Sequence, residues 1–271
     1  MKIKWYGTAC LLLENEEEDA QTNQRAQLLL IDPFFPLNKK LYKPQIDSEF
    51  SQVSSILVTH GHFDHITGIP SVIENCKRKP FIYCTQAPHD ALISMGIEKD
   101  LAQKIIPGNK LILKPFEVTV LKGKHVVFDK PLLVKTLLSP RMLINIKNLK
   151  CILKENKKCR EEGETVVYDI KIKDKRILLM GSLNLDDAVD YPEGADLLFL
   201  PLQGRSDICK YAMKFIDRLK PAKVFVTHYD NSFPPISSHT NIKLFESLMR
   251  KNFPNIPVII PQAGQELIDV I

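Results

Sequence analysis

The most informative stretch of the sequence is SSILVTHGHFDH, at residues 54–65. Its first half has the pattern of a buried strand, and three histidines and one aspartate follow within six residues. Because side chains two positions apart in an extended chain point the same way, His60, His62 and Asp64 are predicted to face one cavity. A local turn would bring His65 to them. Imidazole nitrogens and a carboxylate oxygen are ligands typical of Zn²⁺, so the stretch predicts a metal site.

Two glycines accompany these candidate ligands. Gly61 is expected to allow an unusual backbone angle between two ligands, and Gly68 to allow a tight start of the next helix. The alternative interpretation is a polar surface loop that happens to hold histidines. Four candidate ligands at this spacing, directly after a strand, favour the metal site over that alternative.

The composition is that of a globular protein. The 271 residues are 44% hydrophobic and 25% charged, which permits a large core and excludes a disordered or fibrous chain. The net charge of +5 is small and looks scattered, so nucleic acid is not expected as a partner, and a small anionic substrate is favoured only slightly. No CxxC pair, secretory signal or apolar run of ~20 residues is visible. We therefore expect a cytoplasmic protein with reduced cysteines and no membrane partner, for which a homo-oligomer is one option.

Strand patterns occur at both ends of the sequence and alternate with helix patterns between them. A polar stretch at residues 15–25 is predicted to be a hairpin loop. Strands are predicted at residues 2–6, 10–14, 27–31, 54–59, 80–84, 116–122, 165–171, 176–180, 196–200, 223–227, 257–260 and 266–270, and helices at 68–77, 86–95, 207–219 and 240–250. This order favours two sheets packed face to face with helices outside, in a single domain of residues 1–271.

Residues 126–163 interrupt this alternation. They contain a Ser139–Pro140 turn and a basic stretch, residues 142–160, which is predicted to be helical with a solvated face. The segment is too short and too polar to form a core of its own. We interpret it as an insertion within the domain.

The His-x-His-x-Asp-His pattern of residues 60–65 resembles the signature of the metallo-β-lactamase superfamily. The segments WYGTA at 5–9 and LLIDP at 29–33 also resemble parts of that family. The likeness covers nearly the whole chain except residues 15–26 and 126–163, and is similar to the metal-dependent hydrolase branch that includes ascorbate-phosphate lactonases. It implies an α+β fold, a four-layer αββα sandwich with a dinuclear site at one edge of its sheets.

The resemblance also implies a ligand set. One metal would be held by His60, His62 and His125, and the other by Asp64, His65 and His228. The ions would be divalent, one or two in number, with zinc favoured and manganese or iron as alternatives. Asp64 would also orient the nucleophile or accept its proton, which makes it the catalytic candidate. His125 could instead be an ordinary residue of a basic loop.

One position departs from the family pattern. Where the family has an aspartate after a strand, in a Gly-Asp dipeptide, this sequence has Gly181 and Ser182. A bridging carboxylate offsets the repulsion of two cations only ~3.5–4 Å apart, and a hydroxyl does not. The second metal is therefore expected to be weak or absent, unless a neighbour such as Asp186 substitutes. Asp186 itself is placed at the start of a predicted helix, and a shift of the alignment by a few residues is the other alternative.

Two further residues are candidate substrate contacts. His239 is predicted to open a helix near the loop that follows His228. Arg205, with Ser206, lies in a loop expected at the same edge of the sheets. The insertion at residues 126–163 lies between two ligand strands and is a candidate lid.

These features together predict a metal-dependent hydrolase that uses a metal-bound hydroxide on a small substrate such as a lactone, ester or phosphoester. The first alternative is a nuclease or phosphodiesterase on the same fold. The second is a non-catalytic relative with a degraded second metal site. The fold alone does not choose among them.

Overall fold

A computed structural model describes residues 1–15, 28–268 and 270–271 of the chain. The hairpin loop predicted at residues 15–25 lies almost entirely outside the described residues. The strands of the described residues are β1 (Lys2–Gly7), β2 (Cys10–Glu14), β3 (Leu28–Ile31), β4 (Val53–Leu57), β5 (Phe81–Cys84), β6 (Ala102–Lys104), β7 (Lys110–Leu113), β8 (Phe116–Lys122), β9 (Val166–Ile172), β10 (Lys175–Met180), β11 (Leu197–Pro201), β12 (Val224–Thr227), β13 (Val258–Ile259) and β14 (Glu266–Ile268).

Nine helices surround these strands in the described part of the chain. They are α1 (Ile46–Glu49), α2 (Phe63–Ile66), α3 (Ile69–Asn75), α4 (Gln86–Ser94), α5 (Lys130–Leu137), α6 (Arg141–Ile144), α7 (Ile146–Glu155), α8 (Ile208–Leu219) and α9 (Ile242–Asn252). The predicted elements match within a few residues, except that the basic stretch predicted as one helix is split between α6 and α7. Strands β6 and β7 and helices α1, α2 and α5 were not predicted.

The strands form two sheets of the same design. The first has the order β14-β1-β2-β3-β4-β5-β6 and the second β13-β12-β11-β10-β9-β8-β7. In each sheet an antiparallel half joins a parallel half, at β3–β4 in the first and at β10–β11 in the second. The carboxyl ends of parallel strands meet at one edge of a sheet, which is where the loops after β4 and β12 emerge.

The alternation of side chains on the strands builds three apolar layers. Trp5 and Leu57 of the first sheet pack with Phe199 and Phe225 of the second in a central core. The outer face of the first sheet packs on α3 and α4, and that of the second on α8 and α9. The result is the four-layer αββα sandwich that the resemblance implied.

Candidate metal centre

The loop after β4 supplies four of the candidate ligands. The backbone is extended only as far as His62, which is the residue before α2 and has φ −68° and ψ 151°. Asp64 had been expected to continue the extended loop. Instead, Asp64 and His65 lie on the single turn of α2. On this turn Oδ2 of Asp64 and Nε2 of His65 lie 3.8 Å apart, so both side chains face the same side.

The structure brings six side chains into two adjoining groups. In each group the three possible ligand atoms lie within 4.8 Å of one another, and the groups are His60, His62 and His125, and Asp64, His65 and His228. The ring centroids of His60 and His65 are 3.9 Å apart, so the two groups touch. His125 follows β8 and His228 follows β12, so together with the loop after β4 the segments that follow three separate strands converge on the centre.

The hydrogen bonds of the imidazoles leave nitrogens free for a metal. Nε2 of His60 and Nδ1 of His228 are buried without a hydrogen-bond partner among the described residues. Nδ1 of His125 donates to the carbonyl of Val126 at 2.8 Å, which leaves its Nε2 as the lone-pair nitrogen. Since buried polar atoms are rarely left unpaired, these nitrogens fit a site built for a divalent cation.

Electrostatics keep the first group in its metal-binding form. Burial, and then the neighbouring His62, lowers the pKa of His125 to about 4. Burial and the imidazole of His65 hold the pKa of His60 well below its usual value. A neutral imidazole is the form that binds a metal, so this group is ready to bind at neutral pH.

The second group contains an ionised carboxylate. Burial opposes ionisation of Asp64, but the charge of His65 and a contact of 3.0 Å between its Oδ2 and Nε2 of His228 lower its pKa. His228 has an unusual positive φ of 51°, which its backbone N–H stabilises by donating to the carbonyl of Thr8 at 2.7 Å. A non-glycine residue in this conformation is uncommon, and such residues concentrate at functional sites.

Asp32 is a further functional candidate, with no role assigned from the sequence. Its carboxylate accepts hydrogen bonds from the backbone N–H of Thr59 at 2.7 Å and from the Thr59 hydroxyl at 2.6 Å, and lies 2.8 Å from Nδ1 of His65. Burial alone would lower the pKa of His65, and the charges of Asp32 and Asp64 raise it instead. The place of Asp32 near the end of the LLIDP stretch is visible in the sequence, but its contact with His65 depends on β3 and β4 being parallel neighbours, which only the fold shows.

Ser182 lies at the floor of the site. The side chain is buried, and its Oγ accepts a hydrogen bond from the backbone N–H of Val126 at 3.0 Å. Asp186 does not reach the two groups, because its carboxylate pairs with Lys122 at 2.8 Å and Lys124 at 3.2 Å. It also lies in a loop and starts no helix, contrary to expectation. Asp64 is therefore the one carboxylate in the two ligand groups of the described residues.

Arg205 and His239 both line the cavity above the centre. The guanidinium of Arg205 is held by Asp207, with Nε 2.7 Å from Oδ1, and donates to the carbonyl of Val127 at 3.1 Å. His239 does not open a helix, as had been expected, because α9 begins three residues later.

Close packing explains two glycines. Gly61 has no positive φ, so the expected unusual backbone angle is wrong. A Cβ there would lie 2.0 Å from the carbonyl oxygen of Arg160, at the end of the insertion. A Cβ on Gly181 would lie 2.0 Å from Oγ1 of Thr59. Gly61 therefore allows the backbone of Arg160, and Gly181 the side chain of Thr59, to approach closely beside the candidate ligands.

A cavity of about 810 Å³ is lined by the six candidate ligand residues. One wall comes from α5 and α7 and is mostly apolar, with Leu132, Leu133, Leu137, Leu149, Ile152 and Leu153 beside Lys135 and Thr136. The lining also includes the apolar side chains of Phe233, Ile236 and Leu244. The cavity can therefore take a small molecule that presents a polar group to the ligands and an apolar part to the walls.

Comparison with known proteins defines the class of protein. The family model described as "Beta-lactamase superfamily domain" matches residues 28–229. The chain therefore belongs to this family, which confirms both the resemblance and the fold.

Individual relatives agree with this assignment. The chain is similar over its length to the UPF0173 metal-dependent hydrolase of Methanocaldococcus jannaschii, with 23% identity over 98% of this chain and 99% of the relative. Two solved structures resemble it in fold. They are the metallo hydrolase Igni18 from Ignicoccus hospitalis (TM-score 0.62, 16% identity, 98% and 97% coverage) and the metallo-β-lactamase fold protein YhfI from Bacillus subtilis (TM-score 0.61, 14% identity, 98% coverage of each).

These comparisons confirm the prediction of a metal-dependent hydrolase. They do not confirm the likeness to ascorbate-phosphate lactonases. No helix in the described residues has the length and apolar character that crossing a membrane requires.

Proposed function

We propose that the chain hydrolyses a small ester, lactone or phosphoester at this centre with one or two divalent ions, of which zinc is favoured. The observation that carries the proposal is the pair of three-ligand groups at the floor of a cavity with apolar walls. His60, His62 and His125 would hold the first ion, and Asp64, His65 and His228 the second. We expect the first to bind more firmly, because Ser182 leaves no bridging carboxylate between them.

The ions would supply activation of water and polarisation of the substrate oxygen. The ionised carboxylate of Asp64 lies 3.0 Å from His228 and 3.8 Å from His65, in a position to orient a water by accepting a hydrogen bond. The carbonyl of Val126 fixes the ring of His125, and Asp32 fixes that of His65. The apolar walls would reduce the polarity around a bound substrate, which would strengthen these interactions.

The two alternatives have less support. A nuclease would bind a polyanion inside the cavity, and most of the side chains that α5 and α7 contribute to the cavity wall are leucines and isoleucines rather than lysines. A non-catalytic relative would explain Ser182, but it would give no reason for six converging ligands with unpaired buried nitrogens. A cytoplasmic location is supported by the six cysteines, all of which are free in the structure.

A panel of lactones, carboxylic esters, thioesters, phosphodiesters and a short RNA tests the proposal. We expect the metal-loaded protein to hydrolyse one of the small substrates, and His62→Ala to reduce the rate to background. His89→Gln is the matched control, because His89 is a buried histidine outside the site. Cleavage of RNA alone, or equal rates for wild type and His62→Ala, would contradict the proposal.

A further inference from the structure

The positive charge of the chain is concentrated in one place. Residues 130–158, which contain α5, α6 and α7, hold eight Lys and Arg residues and one Glu, a net charge of +7. The whole chain has a net charge of +5, so the remainder is net negative. The surplus that looked scattered in the sequence therefore belongs to the insertion.

The same helices expose large apolar side chains. Leu138, Leu143 and Ile144 are 79%, 80% and 78% exposed, at the corner between α5 and α6. The insertion patch is this surface, and its members are Leu133, Val134, Leu137, Leu138, Leu143, Ile144, Ile146 and Leu153. Soluble surfaces rarely gather this many exposed aliphatic side chains in so short a segment without a binding partner.

The insertion is held firmly on its inner side. Arg141 donates to Oδ1 of Asn231 at 2.8 Å and to the carbonyl of Ser237 at 2.7 Å, and Ile152 is buried in the core. Asp129 caps α5 and accepts a hydrogen bond from the backbone N–H of Ser206 at 3.1 Å. Because these contacts occupy the inner side, the outward apolar side chains are a fixed feature of the surface.

Helix α7 combines a basic and an apolar face. Lys147, Lys150 and Lys154 are spaced three and four residues apart, so they share one face, and all three are exposed. Ile146 and Leu153 belong to the neighbouring apolar stripe. This pairing of a lysine face with an apolar face is typical of helices that lie in the plane of a membrane surface.

We propose that the insertion patch docks the protein on the surface of an anionic lipid bilayer. The lysines complement the anionic headgroups, and the exposed leucines and isoleucines enter the boundary of the acyl chains. A second copy of the chain is a poorer occupant, because a two-fold contact would place +7 against +7. The proposal departs from the expectation of no membrane partner, and it involves a surface contact rather than a spanning helix.

The position of the patch relates it to the metal centre. Leu133, Leu137 and Leu153 are both exposed on the patch and part of the cavity wall. The apolar surface therefore continues into the cavity, and docking would turn the cavity mouth toward the bilayer. Docking itself does not depend on the proposed hydrolysis, so it can be tested without a substrate.

Co-sedimentation of the full chain with vesicles tests the proposal. We expect binding to vesicles of phosphatidylglycerol and phosphatidylcholine, little binding to phosphatidylcholine alone, and loss of binding in high salt. Lys147→Gln, Lys150→Gln and Lys154→Gln together should weaken binding about a hundredfold, since each lysine near an anionic surface contributes about fivefold. The matched control replaces three other exposed lysines by Gln, namely Lys99, Lys110 and Lys243.

A second pair of variants tests the apolar contribution. Leu138→Ser with Leu143→Ser should reduce vesicle binding at least tenfold without changing the circular dichroism spectrum or the melting temperature. The control is Ile106→Ser with Ile112→Ser, which removes side chains that are 66% and 63% exposed elsewhere. Absence of binding to anionic vesicles, or equal binding by patch and control variants, would overturn the proposal. A second result would also overturn it: the wild-type protein does not bind vesicles but forms a dimer in sedimentation velocity, and only the patch variants abolish that dimer.

Discussion

Oδ2 of Asp32 lies 2.8 Å from Nδ1 of His65, and both side chains are buried. Two hydrogen bonds from Thr59 fix the carboxylate from the other side. The pair joins the end of β3 to α2 and leaves Nε2 of His65 facing Asp64 at 3.8 Å. A carboxylate that holds a ligand histidine in this way fixes the ring and raises its basicity as a ligand.

Asp32→Asn should weaken the second ligand group. The amide removes the charge that stabilises the orientation of His65, so we expect metal affinity to fall about 10–100-fold. Isothermal titration calorimetry, in which zinc is added to the metal-free protein, measures the affinity. Asp90→Asn is the matched control, because Asp90 lies 2.9 Å from Nδ1 of His89 outside the site. An equal loss in both variants would show that Asp32 has no special role.

Ser182→Asp should increase the number of ions bound. The new carboxylate would lie at the floor of the site and offset the repulsion between two cations. We expect the metal content of the variant to approach two ions per chain, with a smaller content in wild type. Ser182→Ala, which loses only the acceptor for the N–H of Val126, should keep the wild-type content. Identical stoichiometry in all three proteins would refute the role given to this position.

Gly61→Ala should destabilise the centre through the insertion. Its Cβ would lie 2.0 Å from the carbonyl oxygen of Arg160, so one of the two segments must move, at a cost of about 1–3 kcal/mol. Urea unfolding and zinc affinity should both report the change. Gly163→Ala meets no atom within 4 Å and tests only the cost of its φ of 78°, so its zinc affinity should stay at the wild-type value. Wild-type stability in Gly61→Ala would contradict the close approach.

The carboxylate of Glu49 should make the stability depend on pH. Burial opposes its ionisation, but donation from Lys4, Tyr42 and Tyr6 lowers its pKa below the usual value. Its stabilising contribution is therefore complete above the unfolded pKa near 4.5 and is lost as the pH falls through the lower folded value. The free energy of unfolding of wild type should exceed that of Glu49→Gln by about 2 kcal/mol at neutral pH, and this difference should shrink below pH 4.5.

Chemical unfolding at several pH values measures this difference. The matched control is Glu98→Gln, since Glu98 pairs with Lys79 in an ion pair whose side chains are more than half exposed on average. Exposed pairs contribute little, so this variant should match wild type at every pH. A Glu49→Gln difference that does not depend on pH would contradict the assignment.

The residues that could be predicted from the sequence are those whose signal is local or follows a strand end. His60, His62, Asp64 and His65 share one short stretch, and the resemblance placed His125 and His228 at the ends of later strands. The role of Asp32 could not be predicted, because it depends on β3 and β4 being parallel neighbours. Asp186 was misplaced for a similar reason. Its partners Lys122 and Lys124 are distant in sequence, and only the folded chain brings them together.

The metal content of the purified protein, prepared without added metal or chelator, tests the central claim most directly. We expect at least one divalent ion per chain in wild type, with zinc the main species, and a loss of that ion in His62→Ala but not in His89→Gln. A wild-type protein that contains no metal and takes up none on dialysis against zinc would contradict the account. So would a metal content that His62→Ala leaves unchanged.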